Sequence, residues 1–103
     1  MNIYITTTAN NKYLDTTIAI LKKHGHQVES LNDSYIKYSD IIIIMIPCNY
    51  MSYIEIGYAK GIGKKIILYC PIGHTLEIEK MKNFFDMITN SIYDILYYLI
   101  IKN

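Results

Sequence analysis

Ile41-Ile42-Ile43-Ile44-Met45-Ile46-Pro47, then Cys48-Asn49-Tyr50-Met51-Ser52-Tyr53-Ile54-Glu55-Ile56-Gly57-Tyr58-Ala59, is the stretch that decides the fold. A run apolar at every position cannot be a half-exposed strand. It reads as a strand buried on both faces, which belongs in the middle of a parallel sheet covered by helices. Pro47 ends it, a short polar loop follows, and a helix is expected over Ser52 to Ile62. Gly61 and Gly63 mark that helix's C-terminus, and Lys65 to Cys70 reads as the next strand. In an open parallel sheet, ligands bind at loops like the one between Pro47 and Glu55.

Outward from this unit, strands and helices alternate. Asn2 to Thr6 is strand-like and runs into the hydroxyl-rich Thr6-Thr7-Thr8 turn. Asn10 or Asn11 can cap a helix to about Lys23, with Leu14, Ile18 and Leu21 on one face and Gly25 as its stop. Gln27 to Leu31 is a second short strand, and Asn32 to Tyr38 a polar connector with room for one helical turn. Beyond Cys70, a weak helical pattern covers Leu76 to Phe85 and a short edge strand Asp86 to Thr89. Asn90 is in place to cap a last helix from Ser91 to about Ile101. This alternation means α/β. Right-handed crossovers predict a flavodoxin-like three-layer sandwich whose five parallel strands run in the order 2-1-3-4-5. The 103 residues suffice for one small domain, spanning 1–103, and show no internal repeat or linker.

Composition excludes several functions. The net charge is +1 and the lysines are scattered, so no basic face is available to hold nucleic acid. The apolar runs fall far short of the ~20 residues a membrane span requires, and Met1-Asn2-Ile3-Tyr4 lacks the pattern of a signal peptide. Cys48 and Cys70 are too few for a disulfide framework and too widely spaced for a zinc or redox motif, which predicts reduced thiols and a cytoplasmic protein. No metal site or cofactor is expected. Eleven tyrosines without a tryptophan suggest side chains that line a pocket or an interface.

The chemical lead is Glu55, a carboxylate at the expected start of a helix, flanked by Asn49 and Ser52. A helix N-terminus favours negative charge. The same residues have a structural explanation, because Ser52-Tyr53-Ile54-Glu55 is also a capping box. Gly57 speaks against a purely structural role. Glycine inside a helix costs ~1 kcal/mol relative to alanine, which is tolerated where a strand or a ligand approaches the backbone. The other candidates are weaker. His24 and His26 lie at a turn on the opposite end of the sheet, His74 reads as a solvated loop histidine, and the glycines fit no phosphate-binding motif. Asp15 has no acidic partner at the end of the first strand, which argues against a receiver-type metal site.

From Ser39 to Tyr69 the chain resembles the nucleoside 2-deoxyribosyltransferase-like family, which includes deoxynucleotide N-hydrolases. The resemblance rests on Ser39-Asp40 before the apolar strand, Pro47 at its end, Glu55-Ile56-Gly57-Tyr58-Ala59, and Gly61-Ile62-Gly63-Lys64-Lys65 before the next strand. The opening Ile3-Tyr4-Ile5 strand also matches. The resemblance implies that Glu55 is the nucleophile that attacks C1′ of a nucleoside through an oxocarbenium-like transition state. It places Asn49 at a position that contacts sugar or catalytic groups. It also places Tyr4, Thr6 and Thr7 in the loop lining the pocket. Ser52, which flanks Glu55, is expected to border the same pocket as a further substrate-binding residue.

The chain departs from the family in its short segment between Ser30 and Asp40, in its bulky Tyr50, Met51 and Tyr53 before Glu55, and in having Asn49 where an acid is common. The family can complete its site with a neighbouring subunit's tail, a role that would fall here to Asn103. TIR domains, which act on NAD, share the architecture and a catalytic glutamate. The expectation is therefore an N-glycosidase for a small-molecule nucleoside or nucleotide, hydrolysing rather than transferring, and assembled as a homodimer. The alternative is a non-catalytic module that senses or sequesters a signalling nucleotide.

Overall fold

A computed structural model of the chain describes residues 1–73 and 82–102. The elements are β1 (Asn2–Thr6), α1 (Leu14–Lys23), β2 (Gln27–Ser30), a 3-10 helix (Asp33–Tyr38), β3 (Ile41–Met45), α2 (Tyr50–Gly61), β4 (Lys65–Tyr69), a 3-10 turn (Lys82–Phe84), β5 (Met87–Thr89) and α3 (Ile92–Lys102). The five strands form one sheet in the order β2-β1-β3-β4-β5, and every pairing is parallel. The expected α/β flavodoxin-like architecture is therefore the observed one. His74 and most of the helix expected over Leu76 to Phe85 lie outside the described residues, as does Asn103; within that helix's range, Lys82–Phe84 forms a single 3-10 turn.

β3 is central, and all five of its residues are buried. Side chains alternate across a strand, so each face of the sheet builds its own core. On one face Ile3, Ile5, Ile43 and Met45 pack with Leu14 and Leu21 of α1 and Ile95 and Leu99 of α3. On the other, Tyr4, Ile42, Ile44 and Ile66 pack with Ile56 and Ala59 of α2 and Ile36 of the 3-10 helix.

Helix ends explain most shifts from the expected boundaries. α1 begins at Leu14, not after Asn10 or Asn11, because Asn11 folds into a local turn: its Oδ1 accepts the Tyr13 N–H at 2.9 Å and its Nδ2 donates to Thr7 Oγ1 at 2.8 Å. α3 is capped by Ser91, whose Oγ accepts the Tyr93 N–H at 3.2 Å, and not by Asn90. α2 closes through Gly63, at φ +83°, with the Lys64 N–H reaching back to the Ala59 carbonyl at 3.0 Å. That left-handed position favours glycine. A β-carbon at Gly57 would meet nothing within 4 Å, so no neighbouring strand approaches it closely.

Candidate active site

The C-terminal ends of β1 and β3 and the first two turns of α2 bring the polar residues together. α2 starts earlier than the capping box implied. Asn49 is the cap, and its Oδ1 accepts the Ser52 N–H at 3.2 Å. Asn and Ser cap about equally well, and Asn49 comes first. Ser52 thus falls within the first turn, and Glu55 in the second, past the reach of the helix-terminus field, which fades within one turn. What holds the Glu55 carboxylate is a pair of hydroxyls from β1. Tyr4 donates to Oε2 at 2.6 Å and Thr6 donates to Oε1 at 2.7 Å. Both distances are those of strong, charge-assisted bonds. Thr6 Oγ1 also lies 2.9 Å from Ser52 Oγ.

Burial pushes the Tyr4 hydroxyl well above its ordinary ionisation range, and its bond to Glu55 and the nearby charges of Glu55 and Asp33 push it further. Tyr4 therefore stays a proton donor to the carboxylate.

Glu55 stands where two cavities meet. One, of about 720 Å³, lies between α2 and the 3-10 helix and is walled by Asp33, Tyr35, Lys37, Met51, Ile54 and Tyr58 besides Glu55. The other, of about 500 Å³, lies over the strand ends among Thr7, Leu31, Asn32, Asp33, Asn49 and Glu55. Of the residues expected to form the pocket, Glu55, Asn49 and Thr7 line this second cavity. Tyr4, Thr6 and Ser52 are all but fully buried, line neither cavity, and touch Glu55 or one another instead. Thr7 braces the loop after β3: its Oγ1 lies 3.0 Å from the Met45 carbonyl and 2.9 Å from that of Pro47.

Sequence reasoning passed over Asp33, which lines both cavities with Glu55. It also passed over Leu31, held at φ +61° where β2 turns toward Asn32 and Asp33. A non-glycine residue in that region is strained, and such strain gathers at functional sites. Asn32 next to it gives the one local signal: its Oδ1 accepts the Ser34 N–H and starts the 3-10 helix that carries Asp33. Cys48 and Cys70 are both free thiols, and burial pushes Cys48 up and Cys70 up to about 11. Thiols of that kind are poor nucleophiles. Among the described residues no cluster of His, Cys, Asp or Glu is placed to hold a metal ion, and no helix is long and apolar enough to cross a membrane.

Solved structures place this geometry among known folds. A 2-deoxyribosyltransferase from the psychrotolerant bacterium Bacillus psychrosaccharolyticus superimposes with a TM-score of 0.77 at 19% identity, over 92% of this chain and 90% of the other. The CMP N-glycosidase BcmB of Clostridium botulinum gives 0.65 at 25% identity, over 96% and 98%. The chain resembles the nucleoside 2-deoxyribosyltransferase-like family in structure. A CheY-like receiver domain from Methanospirillum hungatei JF-1 shares the fold too, with a TM-score of 0.72 at 19% identity over 98% and 91%. The deoxyribosyltransferase-like fold is thus not itself diagnostic of chemistry, which has to be argued from the site. No family model and no curated protein matches the sequence.

Proposed function

We propose that the protein is an N-glycosidase that cleaves the base–sugar bond of a nucleoside or nucleotide, with Glu55 as the nucleophile. The observation that carries this reading is the Glu55 carboxylate, fixed by Tyr4 and Thr6 on the wall shared by two cavities, with a second carboxylate, Asp33, on both. Two carboxylates on one cavity are the equipment of glycosidic cleavage. A Glu55 oxygen bonds to C1′ as the C1′–N bond breaks, and in this reading Asp33, in its acid form, gives the departing base its proton. Water then attacks C1′, Asp33 takes its proton back, and Glu55 is released. The names of the 2-deoxyribosyltransferase and the CMP N-glycosidase, both similar in fold, support the same substrate class. Hydrolysis rather than transfer fits the short β2–β3 connection, which leaves little protein to hold a second base.

The same proposal includes assembly. The outer face of α2 presents Tyr50, Tyr53, Ile54 and Tyr58 at 75%, 46%, 59% and 51% exposure, with Gly57 between them and no charged residue among them. With Met51 and Ile62 this face offers on the order of 600 Å², close to the ~800 Å² per partner of a standard interface. Its lack of charge suits a second copy of itself and does not suit an anionic partner. Light scattering at tens of micromolar should give a dimer or larger species, and Tyr53→Lys with Ile54→Lys should give monomer. A wild-type monomer would refute the assembly.

The catalytic proposal is tested by base release from a panel of nucleosides, nucleotides and NAD, wild type against Glu55→Gln. Release that persists unchanged in the variant removes Glu55 as nucleophile. Ligand binding without release by the wild type favours the module that senses or sequesters a nucleotide.

A further inference from the structure

The buried hydroxyls behind Glu55 form a chain with one direction. Glu55, as a carboxylate, can only accept, so the proton in the 2.7 Å contact between Thr6 Oγ1 and Glu55 Oε1 belongs to Thr6. A threonine hydroxyl has one proton. Its 2.9 Å contact with Ser52 must therefore run the other way, with the Ser52 hydroxyl donating to Thr6 Oγ1. Thr6 is 0% and Ser52 1% exposed, so water does not compete for either group. Thr6 and Ser52 cannot touch a ligand in either cavity, yet burying two hydroxyls costs stability unless both are satisfied.

We propose that Thr6 and Ser52 are positioning residues: a Ser52→Thr6→Glu55 proton-donor relay that grips the carboxylate and fixes the face it turns to the cavity. Hydrogen bonds in such a chain polarise one another, so the Ser52 donor strengthens the Thr6 donor. The relay is one-way. If Glu55 takes up a proton and donates it to Thr6, Thr6 must turn to Ser52, and the Ser52 proton loses the acceptor it has in this network. Protonating the carboxylate therefore disturbs a buried network as well as the carboxylate itself. Tyr4 performs the matching task at Oε2, with the Asn32 backbone N–H directed at its own hydroxyl oxygen.

The groups facing Glu55 from each neighbouring element are Tyr4 and Thr6 of β1, Ser52 of its own helix, Asn49 of the loop before it and Asp33 of the 3-10 helix, with Tyr35, Lys37, Tyr38 and Tyr58 on the same cavity wall. Asp33 is the one other carboxylate among them.

The role of Glu55 as nucleophile comes from the proposed function, but the relay can be tested without it. The ionisation of Glu55 is followed by carbon-13 NMR of its carboxyl group in ligand-free wild type, Thr6→Val, Thr6→Ser and Ser52→Ala. The relay predicts that Thr6→Val takes up the Glu55 proton at higher pH than wild type, that Ser52→Ala does so by a smaller margin, and that Thr6→Ser titrates like wild type. Should Thr6→Val fail to fold, Ser52→Ala carries the same test. An unchanged titration in a folded Thr6→Val, or in Ser52→Ala where Thr6→Val does not fold, overturns the relay. If base release is found, its acid limb should move to higher pH in step with the titration. A purely structural role for Thr6 would lower stability and leave both curves in place. Absence of base release in the wild type would count against the proposed function while the titration still decides the relay.

Discussion

The two faces of β1 do different work. Its odd positions, Ile3 and Ile5, pack into an apolar core with α1 and α3 that holds no buried charge among the described residues. Its even positions, Tyr4 and Thr6, face α2, are just as buried, and end on a carboxylate. A strand residue belongs to one face or the other because side chains alternate, so a single five-residue strand serves a stabilising layer and a chemical layer without either interrupting the other. The lesson is that burial alone does not mark a core position. Tyr4 is as buried as Ile5, and the polar group at its tip gives it a different role. The two faces should therefore respond to mutation in opposite ways.

The largest effect is expected on the chemical face. Glu55→Gln should reduce base release by roughly 10⁴-fold or more, as loss of a nucleophile does. Its stability cost should be only about 1 kcal/mol, since the amide oxygen still accepts one hydroxyl. Turnover assays and chemical denaturation of the same preparation would separate the two numbers. On the stabilising face the order reverses. Leu21→Ala, at a fully buried position of α1, should cost about 2–5 kcal/mol. The folded fraction should keep its turnover per molecule, measured by active-site titration, and a large loss there would mean that the two faces are coupled.

A smaller effect is expected at alkaline pH. Burial raises the folded-state ionisation of Tyr4 above 10.0 and moves Cys70 from 9.0 up to about 11. The unfolded chain releases these protons first, so their contribution to stability is complete below pH 9. That of Cys70 is lost between about 9 and 11, and that of Tyr4 as pH rises beyond 10. Tyr4→Phe should flatten the fall above pH 10 in denaturation curves, and Cys70→Ala the fall between 9 and 11. A dependence identical to wild type in both variants would show that neither group is responsible. The smallest effect falls outside both cores. Gly57→Ala introduces a β-carbon into open space and should stabilise each protomer by ~1 kcal/mol, read by thermal melting of the Tyr53→Lys, Ile54→Lys background. In the assembled protein the same methyl group sits on the proposed interface and should weaken association.

The sheet was legible in the sequence because β3 and β4 are short apolar runs between turn residues, and the parallel order follows from alternation and handedness. Glu55 was legible as the lone carboxylate after the central strand. Its surroundings were less so. Asn49 and Ser52, three residues apart, are both good caps, and local pattern gives no means of choosing between them. Choosing Ser52 put Glu55 a turn too early. Tyr4 and Thr6 were placed at the site, but their burial depends on α2 closing over them, which is a tertiary fact. Asp33 escaped notice because a 3-10 helix of six residues has no periodic apolar face to announce it. Leu31 carries no turn signal of its own.

The central claim, that the Glu55 oxygen bonds to C1′, is tested most directly by trapping. A nucleoside bearing fluorine at C2′, which slows breakdown of a glycosyl ester, is incubated with the wild type and the digest is read by mass spectrometry. The account predicts one equivalent of base released and one sugar retained on the peptide containing Glu55, absent in Glu55→Gln. Base release with no sugar retained, or with the sugar on another side chain, would contradict it.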